Sequence, residues 1–284
     1  MAQFTNQAQL SYNNAVINSN IAVGEILDVL SADKTAVTNT YTPGGDVTYV
    51  ISAVNSGATP VGGVTVTDNL GAYTFGETTL YPLTYKEGSV HLYINGVLQT
   101  APTVEAGPPL VVSGITLPAN SNMVLVYEAN VTAFAPLSEE DSIVNTATVT
   151  GNGISTPITV TETVTPVAEA MLDITKSISP VPVSENSVVT YTFVIRNSGN
   201  APADVAANVT LTDTFLPVLS DLTVLLDGVA LAEGTGYTYA ITEGDFATVP
   251  GVITVPAATY VQDPVTGVWS VTPGTTTLTV TGTI

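Results

Sequence analysis

"KTAVTNTYTPGGDVTYVISAVNSGATPVGGVTVTDNL", Lys34 to Leu70, decides the fold because the chain contains it twice. Inside it, "DVTYVISAV" (Asp46 to Val54) alternates as a strand does when one face is buried and the other is in water. Pro43-Gly44-Gly45 before it and Asn55-Ser56-Gly57 after it are turn residues. The second version runs from Lys176 to Phe215, "KSISPVPVSENSVVTYTFVIRNSGNAPADVAANVTLTDTF". Lys34 falls on Lys176, Tyr49 on Tyr191 and Asn55-Ser56-Gly57 on Asn197-Ser198-Gly199, all at one offset. A three-residue insertion later, Asp68 falls on Asp213. Self-similarity on this scale means two copies of one folding unit.

Outward from these copies the composition stays the same. Thr, Val, Ile and Tyr dominate, and "INGV" at Ile94 and "LDGV" at Leu226 predict tight hairpin turns. No helical periodicity appears, so the expected fold is all-β, with two tandem β-sandwich units. The copies end differently. The first continues through "NMVLVYEANVTA" (Asn122 to Ala133) into "VNTATVTGNGISTPITVTETV" (Val144 to Val164), which reads as two strands around a Gly-Asn-Gly turn. The second reaches "TTTLTVTGTI" (Thr275 to Ile284), the counterpart of the first of those segments, with no closing hairpin after it.

A hairpin of that kind stands at the other end. "TNQAQLSYNNAVINSNIAV" from Thr5 resembles "VNTATVTGNGISTPITV" from Val144, with Asn6 on Asn145 and Ala8 on Ala147. A two-stranded hairpin alone is marginal in water. The roughly ten residues after it reach at most about 35 Å, so covering the second copy of its own chain would require the copies to fold back side by side. Insertion into the next molecule is the expectation, because an incomplete sheet exposes edges and apolar surface that call for cover. Donor-strand addition of this type is head-to-tail and propagates as a filament when its rotation does not close. The expected organisation is a donor hairpin over 1–24, a first domain over 25–167 and an incomplete, accepting second domain over 168–284. Phe4, Asn6, Ala8, Leu10, Tyr12, Ile21 and Val23 are the expected donor residues. The expected acceptor edge lies along the last strand, at Leu278, Val280 and Ile284.

The 284 residues carry four basic and twenty-four acidic side chains, a net charge of −20, which argues against nucleic acid or an anionic membrane as partner. Cysteine is absent, excluding disulfides and thiolate metal sites. No run of eighteen apolar residues predicts a membrane span, and "MAQFTNQAQL" lacks the basic and apolar regions of a secretory signal. The expectation is a protein made without such a signal, or one from which it was removed. The mean hydropathy of +0.38 fits a chain that hides surface in an assembly, although dense Val/Thr/Ala strands also raise it.

The stretches "ADKT", "GDVTYVISAVNSG", "VTVTDNL" and "NTATVT" resemble the conserved-repeat family of bacterial surface proteins (domain of unknown function, family eleven), whose members are tandem Ig-like sandwiches. The likeness covers both copies. A 29.1 kDa chain with two such units is similar to the subunits of ribbon- or fibre-like appendages on clostridial spores. That resemblance implies an extracellular appendage on a spore or cell, made in the mother cell, whose partners are identical subunits in a homopolymer.

It also implies a chemistry. Gram-positive surface sandwiches of related architecture carry amide crosslinks between Lys and Asn, assisted by Asp or Glu. Burial favours the neutral, nucleophilic amine, and a protonated carboxyl polarises the Asn carbonyl and shuttles protons. Lysine occurs only at 34, 86 and 176, and Lys34 and Lys176 occupy equivalent positions. The candidate set in copy one is Lys34, Asp68 and Asn145. In copy two it is Lys176 and Asp213, with Asn6 arriving from another molecule. The alternative is that these lysines are solvated strand-edge charges. Lone His91 reads as structural, and Glu139-Glu140-Asp141 as a solvated acidic loop rather than a Ca²⁺ site. Trp269 and the twelve tyrosines read as core and interface residues rather than a sugar platform. No cofactor, metal or turnover catalysis is expected. The functional expectation is a self-assembling structural subunit; the alternative is a monomeric adhesin-like binding module.

Overall fold

The computed structural model describes residues 2–26 and 29–284; Met1, the first residue of the expected donor segment, lies outside them. The described chain is all-β, with no α-helix and a single 3-10 turn at Val205–Ala207. It divides into two compact units, residues 1–132 with 143–164, and residues 133–142 with 165–284.

The first unit is a sandwich of two antiparallel sheets. One has the order Val97–Leu98, His91–Ile94, Ser121–Val131, Asp46–Asn55, Leu30–Ala36, with Leu83–Tyr85 also paired to Ser121–Val131. The other has the order Thr103–Glu105, Leu110–Leu117, Val61–Asp68, Ile143–Thr150, Ile158–Pro166, Thr40–Tyr41. Alternation sends Val47, Tyr49, Ile51 and Ala53 inward from one sheet, and Val64, Val66, Ala147 and Val149 inward from the other, all essentially buried.

In the second unit, the sheet Leu172–Ser179, Val188–Asn197, Gly274–Thr283, Ser220–Leu226, Val229–Ala230 repeats the order of the first of these. The facing sheet is smaller: Thr212–Thr214, Asp245–Thr248, Tyr237–Ala240. The repeated Asn-Ser-Gly explains part of the likeness. Asn55 and Asn197 are fully buried, and their amides reach loop carbonyls, Thr59 and Pro118 in one unit and Ala201 and Pro256 in the other. Each also accepts from the glycine two residues on, Gly57 or Gly199. A side-chain amide satisfied in this way holds two loops that would otherwise have unpaired carbonyls. Gly199 cannot be replaced there, because a Cβ would sit 2.1 Å from the Glu169 carbonyl oxygen.

One expectation is corrected here. Leu278, Val280 and Ile284 do not form an open edge. Gly274–Thr283 pairs with Val188–Asn197 on one side and with Ser220–Leu226 on the other, and Leu278 and Val280 are fully buried. As the counterpart of Ser121–Val131, this strand takes the same interior position, and Ile284, the residue after it, is tied by its N–H to the Ser187 carbonyl.

The N-terminal strands pair only with one another among the described residues: Ala2–Asn6 with Ala22–Ile26, and Gln9–Tyr12 with Ala15–Asn18. All side chains from Phe4 to Val23 are exposed, including Phe4 (55%), Leu10 (63%), Tyr12 (66%), Ile21 (57%) and Val23 (61%). This hairpin has formed without a core.

Candidate functional site

The first unit gathers its candidate residues between the two sheets. Lys34 lies midway along Leu30–Ala36, opposite Ile51 in register, and points inward. Asp68 closes the strand Val61–Asp68, and Asn145 lies two residues before Ala147, the residue paired with Asp68. All three are buried, at 2%, 1% and 0% exposure. The Lys34 ammonium donates to Asp68 Oδ2 at 2.6 Å and stands 4.8 Å from the centre of the Tyr49 ring. The Tyr127 hydroxyl donates to the same Oδ2 at 2.6 Å and accepts from Asn145 Nδ2 at 3.1 Å. The remaining carboxylate oxygen accepts the Leu70 N–H at 2.9 Å, and the Gly71 N–H donates to Asn145 Oδ1 at 3.2 Å.

The electrostatics follow from burial. Desolvation pushes Lys34 below its ordinary value, against the pull of the Asp68 charge. Burial first, and the Asp68 charge second, hold the Tyr127 hydroxyl well above its ordinary value. Burial also raises Tyr49, whose ring faces Tyr127 at 5.5 Å; its hydroxyl makes no hydrogen bond of ordinary geometry, and the neighbouring Asn145 amide only partly offsets the rise. The site therefore holds an amine whose burial disfavours its charged form, a carboxyl in contact with it, and an amide whose oxygen faces a backbone N–H. Lys34 is not a solvated edge charge. Exposed Lys86, paired with Asp46 at 2.6 Å and Glu128 at 2.7 Å, is one.

Tyr127 is the member that sequence reasoning missed. Its signal was its position: it stands directly opposite Tyr49 in register, on the inward face of an alternating strand. In the second unit Val280 stands opposite Tyr191, so the repeat carries no tyrosine there to draw attention to it.

The second unit brings Lys176 and Asp213 together, Nζ to Oδ2 at 2.5 Å, with the ammonium 4.8 Å from the Tyr191 ring centre. Here the side chains are 42% and 17% exposed. Asn6, in the exposed hairpin, pairs with Ala22. His91 is exposed and contacts the Ser89 carbonyl, Glu139 and Glu140 are exposed, and Trp269 is half-buried in a short hairpin. Among the described residues, no three His, Asp or Glu side chains cluster as metal ligands would, and no helix is long and apolar enough to cross a membrane.

No protein-family model and no curated protein matches the chain. Solved structures do. A 35 kDa C-terminal fragment of the major pilin GBS80 of Streptococcus agalactiae matches at 12% identity over 52% of this chain and 58% of that one, with a TM-score of 0.36. BcpA, the major pilin subunit of Bacillus cereus, matches at 12% over 96% and 73%, TM-score 0.38. The major pilin SpaD from Corynebacterium diphtheriae matches at 12% over 85% and 60%, TM-score 0.35. The chain spans less than two thirds of the first and third of these. At such low similarity, what the chain does has to be read from its own residues.

Proposed function

We propose that this chain is a structural subunit of a bacterial surface or spore appendage. Its N-terminal hairpin is handed to the second unit of a neighbouring copy, so that subunits join head-to-tail. The observation that carries this reading is the hairpin itself: a paired element with every side chain from Phe4 to Val23 in water, Phe4, Leu10, Tyr12, Ile21 and Val23 among them, whose sequence resembles the strands at Ile143–Thr150 and Ile158–Pro166. Burying Phe4 and Leu10 alone would contribute roughly 3–6 kcal/mol. An interface that also completes a sheet adds backbone hydrogen bonds.

Amide bonds between Lys and Asn lock the units. In the first unit, Lys34 gives a proton to Asp68, and the free amine attacks Cγ of Asn145, whose oxygen is met by the Gly71 N–H. The Nζ–Cγ bond forms and the Cγ–Nδ2 bond breaks. Asp68 carries a lysine proton to the departing nitrogen, and the second lysine proton leaves with the product as ammonium, restoring the carboxylate. No oxidant or metal enters the balance. In the second unit the same roles fall to Lys176, Asp213 and a neighbour's Asn6.

Negative-stain microscopy of the whole chain and of a chain lacking residues 1–20 tests the reading. The whole chain should form filaments and the shortened one none. Fibres from the shortened chain would overturn hairpin donation, and short rods of one length from the whole chain would favour a monomeric binding module.

A further inference from the structure

The second unit has an open edge elsewhere than the sequence pointed. Thr212–Thr214 pairs with Asp245–Thr248 on one side and has no strand on its other side among the described residues. Its counterpart, Val61–Asp68, is flanked on both sides, by Leu110–Leu117 and by Ile143–Thr150. The difference is felt across the sandwich. Leu172, Ile174 and Ile178, on the same face of their strand as Lys176, are 42%, 54% and 36% exposed, whereas Leu30 and Lys34 in the first unit are 6% and 2% exposed. An edge, an apolar face and a Lys–Asp pair are thus uncovered together, beside a groove lined by Thr212, Asp213 and Phe246.

We infer that this edge receives the neighbour's hairpin in one register, Ala8 opposite Asp213, and that its arrival switches on an amide bond between Lys176 and Asn6. The inference rests on the head-to-tail reading above. The register is taken from the first unit, where Ala147 pairs with Asp68, Thr148 with Thr67 and Val149 with Val66. Carried across the two repeats, Gln9 meets Thr212 and Leu10 meets Leu211. Asn6 then stands two residues from Ala8 on the inward face, as Asn145 stands from Ala147, against Lys176 and Asp213. Phe4 takes the place of buried Ile143.

The switch is burial. Lys34 and Asp68 are enclosed by strands of their own chain, so the first site is complete within the subunit. Lys176 has the same carboxylate partner and the same aromatic neighbour, but it lacks both the amide and the cover. The docked hairpin supplies the two together, so the free subunit carries an idle Lys176–Asp213 pair. The bond forms only after docking, with the atom balance given above.

Two full-length variants test this, Asn6→Ala, which keeps the acceptor, and Lys176→Ala, which keeps the donor. After boiling in detergent, each alone should run as monomer, and a mixture should give a covalent dimer and nothing larger, lighter than two subunits by the ammonia of the new bond. Failure of the mixture to give the dimer, with wild-type filaments visible in the microscope, would overturn the Lys176–Asn6 bond and leave hairpin donation standing. Covalent ladders from either variant alone would overturn it as well. A monomeric Asn6→Ala chain whose mass shows a second lost ammonia would sink the switch, since the second site would then react without a neighbour.

Discussion

Lys34 and Lys176 are the same residue of the repeat in two dielectric settings. Lys34 is enclosed with Asp68, Tyr127 and Asn145, and each of these four side chains has a hydrogen-bond partner, as burial of charge requires. Asp68→Ala leaves the buried lysine unpaired, a change that costs about 3–5 kcal/mol in comparable cases. The variant should show the full calculated intact mass and an unfolding midpoint shifted accordingly; retention of an ammonia-loss mass would exclude Asp68 as the proton carrier. Tyr127 sets the behaviour in alkali. Its folded pKa lies above the ordinary 10.0, chiefly through burial and then through the Asp68 charge. The folded state holds a proton that the unfolded state releases, so this contribution is present in full below pH 10 and is lost as pH rises beyond it towards the folded value. Tyrosine absorbance and near-ultraviolet circular dichroism, followed together above pH 10, should show the last tyrosines ionising only as the fold is lost.

At the scale of the element, the strand Thr212–Thr214 separates a sheet that continues from one that stops. Leu211 and Phe215 make their backbone bonds towards Asp245–Thr248, as the Thr248 N–H to the Leu211 carbonyl and the Phe215 N–H to the Gly244 carbonyl show. The alternation of a strand turns the Thr212 N–H the other way, to the open side. Proline at 212 removes a donor that the subunit does not need and an incoming hairpin does. Thr212→Pro should therefore keep a folded chain by circular dichroism and fail to form filaments; normal filaments would place the acceptor at another edge. Edges of this kind are an aggregation hazard that proteins usually blunt with lysine or proline. This one carries Thr212 and Thr214 with Asp213 between them, and neither lysine nor proline.

Over the whole molecule, charge opposes assembly. A subunit with a net charge of −20 repels its copies, and each docking step of the proposed assembly would bring two such bodies together. The Debye length shrinks from about 30 Å at 0.01 M salt to about 10 Å at 0.1 M, so raising salt over that range should speed filament growth severalfold by light scattering. Growth that slows with salt would mean that attraction between opposite charges, not repulsion, governs the encounter. Because the first unit completes its own sandwich, residues 30–132 with 143–164 supply a finished body, while the uncovered strands lie in the hairpin and the second unit.

Much of this was legible in the residue order. Alternation identified the strands, the repeat paired Lys34 with Lys176 and Asp68 with Asp213, and the match of Asn6 to Asn145 singled out the hairpin, because each of these is a local or self-similar signal. Tyr127 was not legible, since the second copy has valine in its place. Nor was the open edge. Which strands flank one another depends on pairing between segments far apart in the chain, and nothing within Gly274–Thr283 says that two neighbours cover it while Thr212–Thr214 has one. The sequence alone determined the strands and the repeated Lys–Asp pair; the tertiary structure decided which lysine is enclosed and which edge is free, because both depend on what lies across the sandwich rather than along the chain.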